Sequence, residues 1–465
     1  MAGRLHARRF PHRQRLDLDG QGRMGRRRLC YPRWRAGADR KGGAESHLRR
    51  RHDPAQHRGR DQGYPRERLR HADGALRPGQ AADRRAPRHD DHGGGLPCPH
   101  RRPRRRRAVR VPVAAILSRR HDRAEQDDAM SWEWDAATLS ALETFLEGKG
   151  LRDGAPEPRR IGDGHSNLTY LIRIRGGHAV LRRPPPPPLP KGANDMRREA
   201  RVLQALAGQD VPAPRVLAVA EAGEVLDVPF YVMEHVPGHV ITDTLPTGFE
   251  AARDGRALAF ALVDGLAKLH AVDWRACGLG DFGQPEDFNA RHLKRLETLM
   301  NLRDAAAPSW LAGMATHLKA RVPKESGAAI LHNDYRLGNV IWSEAPPPRL
   351  LAILDWELAT IGDPLLDLGY MACCYPAEGE EPTPTQELSA ALLAPGFPGR
   401  AEIFARYAEV TGRDLSDLGW YAAMAAWKLA VLYDYQHRLG RDAYYRDATQ
   451  APRFIAAAER FAGGL

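Results

Sequence analysis

The chain is poor in cysteine, with five among its 465 residues. They are Cys30, Cys98, Cys277, Cys373 and Cys374, and no two of them have the short CxxC spacing that is typical of metal sites. Nor do they form the dense disulfide framework that stabilises small secreted domains. A cysteine-ligated metal domain and a disulfide scaffold are therefore excluded, and we predict that the adjacent Cys373 and Cys374 are buried thiols.

The N-terminal part also lacks a long apolar run. Its basic beginning leads into no apolar segment, and the nearby run Val109 to Leu117 is interrupted by Arg110 and Pro112. A membrane-spanning helix needs roughly 20 apolar residues. We therefore expect no secretory signal, no membrane partner, and a soluble protein in the cytoplasm.

Residues 1–130 have too few apolar side chains for a folded domain. They contain 34 Arg and one Lys, but only 14 Leu, Ile, Val and Phe residues in total. So few apolar groups cannot offset the entropy lost on ordering, so we expect disorder. The 35 basic and 15 acidic residues give this segment a net charge of +20. Because the whole chain carries +12, residues 131–465 carry 12 − 20 = −8.

The Arg-rich run 101–107 allows electrostatic binding to nucleic acid. The segment has no aromatic platform and no groove-reading motif, so it gives little support for a nucleic-acid partner. Its composition is typical of an unused reading frame in a GC-rich gene. We expect translation to start at or near Met130, where a well-patterned domain begins.

The most informative stretch covers residues 330–370. It contains His332, Asp334 and Asn339, and Asp355 follows sixteen residues after Asn339. The spacing matches the loop HxDxxxxN, in which the Asp takes the proton of an attacking hydroxyl and the Asn binds Mg²⁺. Asp355 is the candidate second metal ligand, because Mg²⁺ prefers hard oxygen ligands. The pattern predicts phosphoryl transfer with Asp334 as the base.

The segments between these residues predict how Asn339 and Asp355 meet. Val340 to Trp342 and Leu350 to Leu354 are strand-like, and the three prolines at 346–348 break the chain between them. A hairpin would bring Asn339 and Asp355 together at its open end.

A structural interpretation competes with the functional one. Taken singly, an Asp or Asn between apolar runs is usually a turn residue or a helix cap. Asp363, followed by Pro364, is expected to be such a cap. Four polar residues together at the catalytic-loop spacing favour function instead.

This stretch resembles the aminoglycoside phosphotransferase and choline kinase-like superfamily, whose fold is that of protein kinases. Within it, the resemblance is greatest to kinase-like domains found alone in bacteria or fused to acyl-CoA dehydrogenases, and it extends from about Trp132 to the C-terminus. It implies a two-lobed α+β fold, with a small β-rich nucleotide lobe at 131–238 and a larger catalytic and acceptor lobe at 239–465. It also implies ATP and Mg²⁺ as cofactors and a small-molecule hydroxyl as the substrate group.

A turn rich in small residues is the first candidate for contact with the ATP phosphates. Gly162, Gly164, Ser166 and Asn167 lie between two strand-like segments, where backbone amides could approach phosphate. Such a turn is more often just a hairpin. Its position ahead of the catalytic motif favours the phosphate interpretation.

The next strand departs from the kinase pattern. Kinases carry a phosphate-binding Lys there, paired with a Glu on the following helix, whereas this chain has Arg182, with Arg183 as the second candidate. Arg offers a charged fork in place of an ammonium. Glu199 is the candidate partner, although an ordinary solvated helix Glu is an equal alternative.

The segment Phe230 to Gly238 resembles the hinge between kinase lobes. Glu234 and Val236 would offer backbone groups to adenine, while apolar side chains cover the ring. The structural alternative is a core strand that ends in a Pro-Gly turn.

The acceptor is not readable from the sequence. Lys428, Tyr421, Tyr433 and Tyr435 could contact it, although an aromatic stripe on a helix is more often core. A hydroxyacyl-CoA or a similar compound is favoured by the resemblance, and an aminoglycoside or an amino alcohol stays open. The alternatives to an enzyme are a pseudokinase that binds nucleotide without transfer, and nucleic-acid binding through the Arg-rich segment.

Overall fold

The computed structural model of the chain describes residues 134–162, 167–186, 194–301, 307–440 and 443–464. These residues form two lobes, a small one built on an antiparallel sheet and a larger one that is mostly helical. The expectations for residues 1–130 lie outside the described residues. Within the described ranges, no helix is both long enough and apolar enough to cross a bilayer.

The small lobe contains a five-stranded sheet and two helices. The strands have the spatial order β1–β2–β3–β5–β4, and all neighbours are antiparallel. The elements are α1 (Ala136–Gly148), β1 (Arg159–Arg160), β2 (Leu168–Ile174), β3 (Gly177–Arg183), α2 (Met196–Leu206), β4 (Val216–Ala220) and β5 (Phe230–Glu234).

The two faces of this sheet bury different cores. Leu181 of β3 belongs to a small core shared with α1, whereas Val180 belongs to the main core, which includes residues of α2. Successive side chains of a strand point to opposite faces. Arg182 therefore lies on the α2 face of the sheet with Val180, and Arg183 lies on the α1 face with Leu181.

The larger lobe surrounds five short strands with helices. Its elements are β6 (His239–Val240), α3 (Ala251–Ala271), α4 (Phe288–Met300), α5 (Ser309–Lys319), β7 (Ala329–Leu331), β8 (Val340–Trp342), β9 (Leu350–Ile353), β10 (Thr360–Gly362), α6 (Leu365–Cys374), α7 (Pro384–Glu387), α8 (Arg400–Thr411), α9 (Leu418–Leu439) and α10 (Gln450–Ala462). Short 3₁₀ turns occupy Leu337–Asn339, Ala390–Leu393 and Ala443–Tyr445.

The predicted hairpin is confirmed. β8 and β9 pair antiparallel with Val340 opposite Ile353, and the turn between them contains the proline run. Beyond this pairing, the N–H of Leu354 donates to the carbonyl of Asn339 at 2.8 Å. Asn339 and the residue before Asp355 are thus hydrogen-bonded neighbours at the open end of the hairpin.

Helices α6 and α9 are in close backbone contact. A Cβ placed on Gly369 of α6 would lie 2.6 Å from the backbone carbon of Tyr421 in α9, so any larger residue there would push the helices apart. Cys373 and Cys374 are buried free thiols in α6, as predicted. Asp363 caps the start of α6, because its Oδ1 accepts the N–H of Leu365 at 3.1 Å.

Candidate active site

Asp334 lies on the loop after β7, and three side chains fix its carboxylate. Asn339 Nδ2 donates to Asp334 Oδ2 at 2.6 Å and to its backbone carbonyl at 2.8 Å. The hydroxyl of Tyr370 donates to Oδ1, and Arg336 Nε lies 3.7 Å from the same oxygen. These contacts hold the carboxylate in one orientation, and its side chain stays 23% exposed.

His332 joins the loop of Asp334 to the segment of Asp355. Its Nδ1 accepts the N–H of Asp334 at 3.2 Å, and its Nε2 donates to the carbonyl of Leu354 at 2.7 Å. This pairing requires the proton on Nε2. His332 is fully buried, so its role is to position the two loops relative to each other.

Asp367 of α6 binds the backbone of the same loop. It was not predicted as a functional residue. It accepts the backbone N–H of His332 at 2.7 Å and that of Asn333 at 2.6 Å, and His270 Nε2 lies 3.2 Å away. Burial alone would raise the pKa of Asp367, but the hydrogen bond and charge of His270 lower it overall. The carboxylate holds Asn333 in a left-handed conformation, with φ of 65°.

Arg182, Glu199, Asp355 and Glu357 form what we call the Arg182 cluster. Arg182 Nε lies 3.0 Å from Glu199 Oε1, and its Nη2 lies 2.5 Å from Asp355 Oδ1. Burial would lower the pKa of the guanidinium, but the facing carboxylates, with Glu199 first, raise it overall. Burial raises the pKa of Glu199. Of the two candidate arginines, the structure brings only Arg182 to this cluster, since Arg183 donates to the carbonyl of Pro184 on the other face.

Glu357 is the member of the Arg182 cluster that the sequence prediction missed. Asn167 Nδ2 donates to Glu357 Oε2 at 2.8 Å, and Arg182 Nη2 lies 4.0 Å from the same oxygen. Burial raises the pKa of Glu357 to about 8, and the negative charge of Asp355 adds to this rise. One feature of the sequence could have indicated Glu357: it lies two residues after Asp355, which itself follows a strand.

Gly162 and the hinge residue Glu234 belong to the small lobe. Gly162 has a φ of 75°, which favours glycine, whereas Gly164 and Ser166 lie outside the described residues. Glu234 ends β5, and its backbone N–H donates to the carbonyl of Arg215 at 2.8 Å, so that N–H is used within the sheet. Val236 is partly buried, two residues further on.

The oxygen donors at the open end of the hairpin fit one hard divalent cation such as Mg²⁺. Among the described residues, no group of three or more His, Cys, Asp or Glu side chains is arranged for a metal. Two protein ligands are nevertheless sufficient when phosphate and water complete an octahedron. Because Asn339 Nδ2 faces Asp334, its Oδ1 points away from Asp334, and the carboxylate of Asp355 is 34% exposed.

A family model described as the phosphotransferase enzyme family matches residues 157–403, just over half of the chain. The chain belongs to this family. Residues 157–403 contain all of the catalytic loop, the hairpin and the Arg182 cluster.

Relatives of this phosphotransferase include acyl-CoA dehydrogenase family member 10 of Mus musculus, which is 30% identical over 300 residues, 64% of this chain and 28% of that protein. Family member 11 of Gallus gallus is 35% identical over 227 residues, 48% of this chain and 28% of that protein. The chain thus spans little more than a quarter of these two relatives. A similar crystal structure is that of a provisionally named aminoglycoside phosphotransferase from Ralstonia eutropha, with 29% sequence identity and a TM-score of 0.56. The match covers 69% of this chain and 98% of that one.

On the other side of Asp334, the phosphotransferase presents Lys428 from α9. Its Nζ lies 3.4 Å from the carbonyl of Asn333 and 5.5 Å from the ring centre of Tyr370. Burial lowers the pKa of Lys428, while the charges of Asp334 and Asp367 oppose that shift. Of the aromatic residues predicted with it, Tyr421 is fully buried and donates to Asp363 at 2.6 Å, which makes it a core residue.

Proposed function

We propose that this phosphotransferase moves the γ-phosphoryl group of ATP, with Mg²⁺, to the hydroxyl of a small molecule. The observation that carries the proposal is the hydrogen-bonded convergence of Asp334, Asn339 and the Asp355 segment at one point of the cleft. A hydroxyacyl-CoA or a similar hydroxy compound is the favoured acceptor, because acyl-CoA dehydrogenase family members 10 and 11 contain related sequence.

Each residue has a defined part in this reaction. Asp334 accepts the proton of the acceptor hydroxyl as the oxygen–phosphorus bond forms and the bond to the β-phosphate oxygen of ADP breaks. Asn339 and Asp355 hold the metal, which when bound neutralises charge on the phosphates. Arg182, held in place by Glu199, contacts the phosphate chain.

The nucleotide would lie between the lobes that we assign to 131–238 and 239–465. The turn with Gly162, Gly164, Ser166 and Asn167 would cover the phosphates. The hinge would receive the adenine through the carbonyl of Glu234 and the backbone of Val236. Since Asn167 already contacts Glu357, this turn is connected to the Arg182 cluster before nucleotide arrives.

The change Asp334→Asn tests this proposal. It keeps the size of the side chain and removes the base, so we expect phosphoryl transfer to fall by about 10²–10⁴-fold, while ATP affinity stays close to that of the wild type. Transfer is measured with ATP and Mg²⁺ against hydroxyacyl-CoAs, amino alcohols and aminoglycosides. Asp210→Asn, at an exposed position, is the matched control. Near-full turnover by Asp334→Asn would reject the assignment.

A second candidate is a nucleotide-binding module without transfer activity. The ion pair between Arg182 and Asp355 favours it, because this pair engages an oxygen of the carboxylate that we propose as a metal ligand. The same assay separates the two functions. A wild-type protein that binds ATP tightly but neither transfers nor hydrolyses the γ-phosphate would support the module.

A further inference from the structure

Lys428 brings a positive charge directly to the catalytic loop. Its Nζ lies 3.4 Å from the carbonyl oxygen of Asn333, and that carbonyl is bonded to the backbone nitrogen of Asp334. Tyr370, whose ring lies 5.5 Å from Nζ, donates its hydroxyl to Asp334. The close contact of α6 and α9 at Gly369 sets this arrangement. The cation is therefore beside the proposed base, on the side away from the Arg182 cluster.

Within the part of the chain that the structure describes, no carboxylate oxygen lies within 4.0 Å of Lys428 Nζ. Its nearest polar contact is one long hydrogen bond to a neutral carbonyl. Two other partly buried cations differ. Arg182 contacts two carboxylates, and Arg400 makes a bidentate pair with Glu380 at 2.8 and 2.9 Å. The charges of Asp334 and Asp367 act on Lys428 from beyond 4.0 Å, so a direct ion pair is left for a ligand oxygen to supply.

A small cavity adjoins Lys428. It is lined by Leu366, Tyr370, Met424 and Ala425 together with Asn333 and His292, and it has room for about one water molecule. Burial is the main cause that lowers the pKa of His292 to about 3, so this imidazole is neutral at physiological pH. Among the described residues that line the cavity, Lys428 is thus the one charged side chain, and the space beside it suits a single ligand oxygen.

We propose that Lys428 binds an anionic oxygen group of the acceptor, so that the acceptor is a hydroxylated carboxylate or phosphate compound and not a polycationic aminoglycoside. This inference rests on the proposed function, because it assigns the acceptor of that reaction. An ammonium group on the acceptor would be repelled by Lys428. An anionic oxygen gains a charge-assisted hydrogen bond.

The test uses four probes that share one secondary hydroxyl, together with kanamycin. The anionic probes are 3-hydroxybutanoate, 3-hydroxybutyl phosphate and 3-hydroxybutyryl-CoA, the neutral one is 1,3-butanediol, and kanamycin is the cation. Transfer is measured with the full chain, as kcat and KM for each probe, in Lys428→Met and Lys428→Arg. The matched control is Lys268→Met, which removes an exposed lysine from α3 that pairs with Asp210.

We expect Lys428→Met to raise KM for the anionic probes about 10- to 100-fold, with little change for 1,3-butanediol or for ATP. Lys428→Arg should recover part of the affinity, and Lys268→Met should change none of these values. The probe whose KM rises more in Lys428→Met, the carboxylate or the phosphate, identifies the anionic group that Lys428 binds. Equal losses for charged and neutral probes, or wild-type preference for kanamycin, would overturn the proposal.

A binding measurement separates this proposal from the proposed function. Calorimetry of the same probes with nucleotide-free protein requires no chemistry. If no probe is phosphorylated but anions bind through Lys428, the transfer assignment fails and the anion site stands. If anions bind no better than the diol, or bind equally well to Lys428→Met, the anion site is refuted.

Discussion

The two sides of Asp334 differ in how their charges are balanced. In the Arg182 cluster, the guanidinium contacts Glu199 and Asp355, so its charge is compensated within the protein. On the other side, Lys428 contacts a backbone carbonyl and an aromatic ring, and no carboxylate of the described residues lies within 4.0 Å of its Nζ. In the Arg182 cluster, Asp355 can exchange Arg182 for a metal, and Arg182 can exchange Asp355 for a phosphate. A region whose cation has no carboxylate in direct contact can bind an anionic group of the ligand at that cation.

Asp367 supports both sides, so its loss should have the largest effect on stability. In Asp367→Asn, one of two buried backbone N–H groups loses its charged acceptor, and His270 Nε2 loses its charged partner. We expect the free energy of unfolding to fall by about 2–4 kcal/mol, as measured by chemical denaturation. Asp210→Asn makes the same chemical change at an exposed ion pair and should cost less than about 1 kcal/mol. If the free energy of unfolding fell equally in the two variants, Asp367 would not be what holds the catalytic loop in place.

Arg182→Lys should produce a smaller effect that falls on the nucleotide side only. A single ammonium cannot contact Glu199 and Asp355 with the fork geometry of a guanidinium. We expect ATP affinity to fall about 10-fold, while the preference among acceptors is unchanged, as measured by ATP titration and by the probe panel. Arg183→Lys is the control, because that side chain lies on the other face of the sheet. If Arg182→Lys changed acceptor preference instead, the division into two sides would be wrong.

Short-range patterns predicted the hairpin side of the site. Asn339 and Asp355 are separated by two strands and a proline turn, so local chemistry alone brings their loops together. The choice between Arg182 and Arg183 stayed open in the sequence. Successive side chains of a strand point to opposite faces, so the sequence places the two arginines on different faces of the sheet. Which face carries the Arg182 cluster depends on the packing of α2.

Asp367, which was not predicted, and Lys428, which was predicted only as a possible acceptor contact, both act through long-range contacts. Asp367 binds backbone groups more than thirty residues earlier in the chain, and His270 lies 97 residues before it. Lys428 meets the catalytic loop across 95 residues, on a helix whose apolar residues give no separate signal for the cation. Such contacts are set by helix packing, as at Gly369, and no local pattern encodes them.

The central claim is that Asp334, Asn339 and Asp355 surround the end of a triphosphate. The most direct test is the structure of the complex with Mg²⁺ and a non-hydrolysable ATP analogue. We predict a metal about 2.1 Å from Asn339 Oδ1 and from a carboxylate oxygen of Asp355, with the γ-phosphate facing Asp334. A nucleotide bound elsewhere, or a metal that touches neither side chain, would contradict the account.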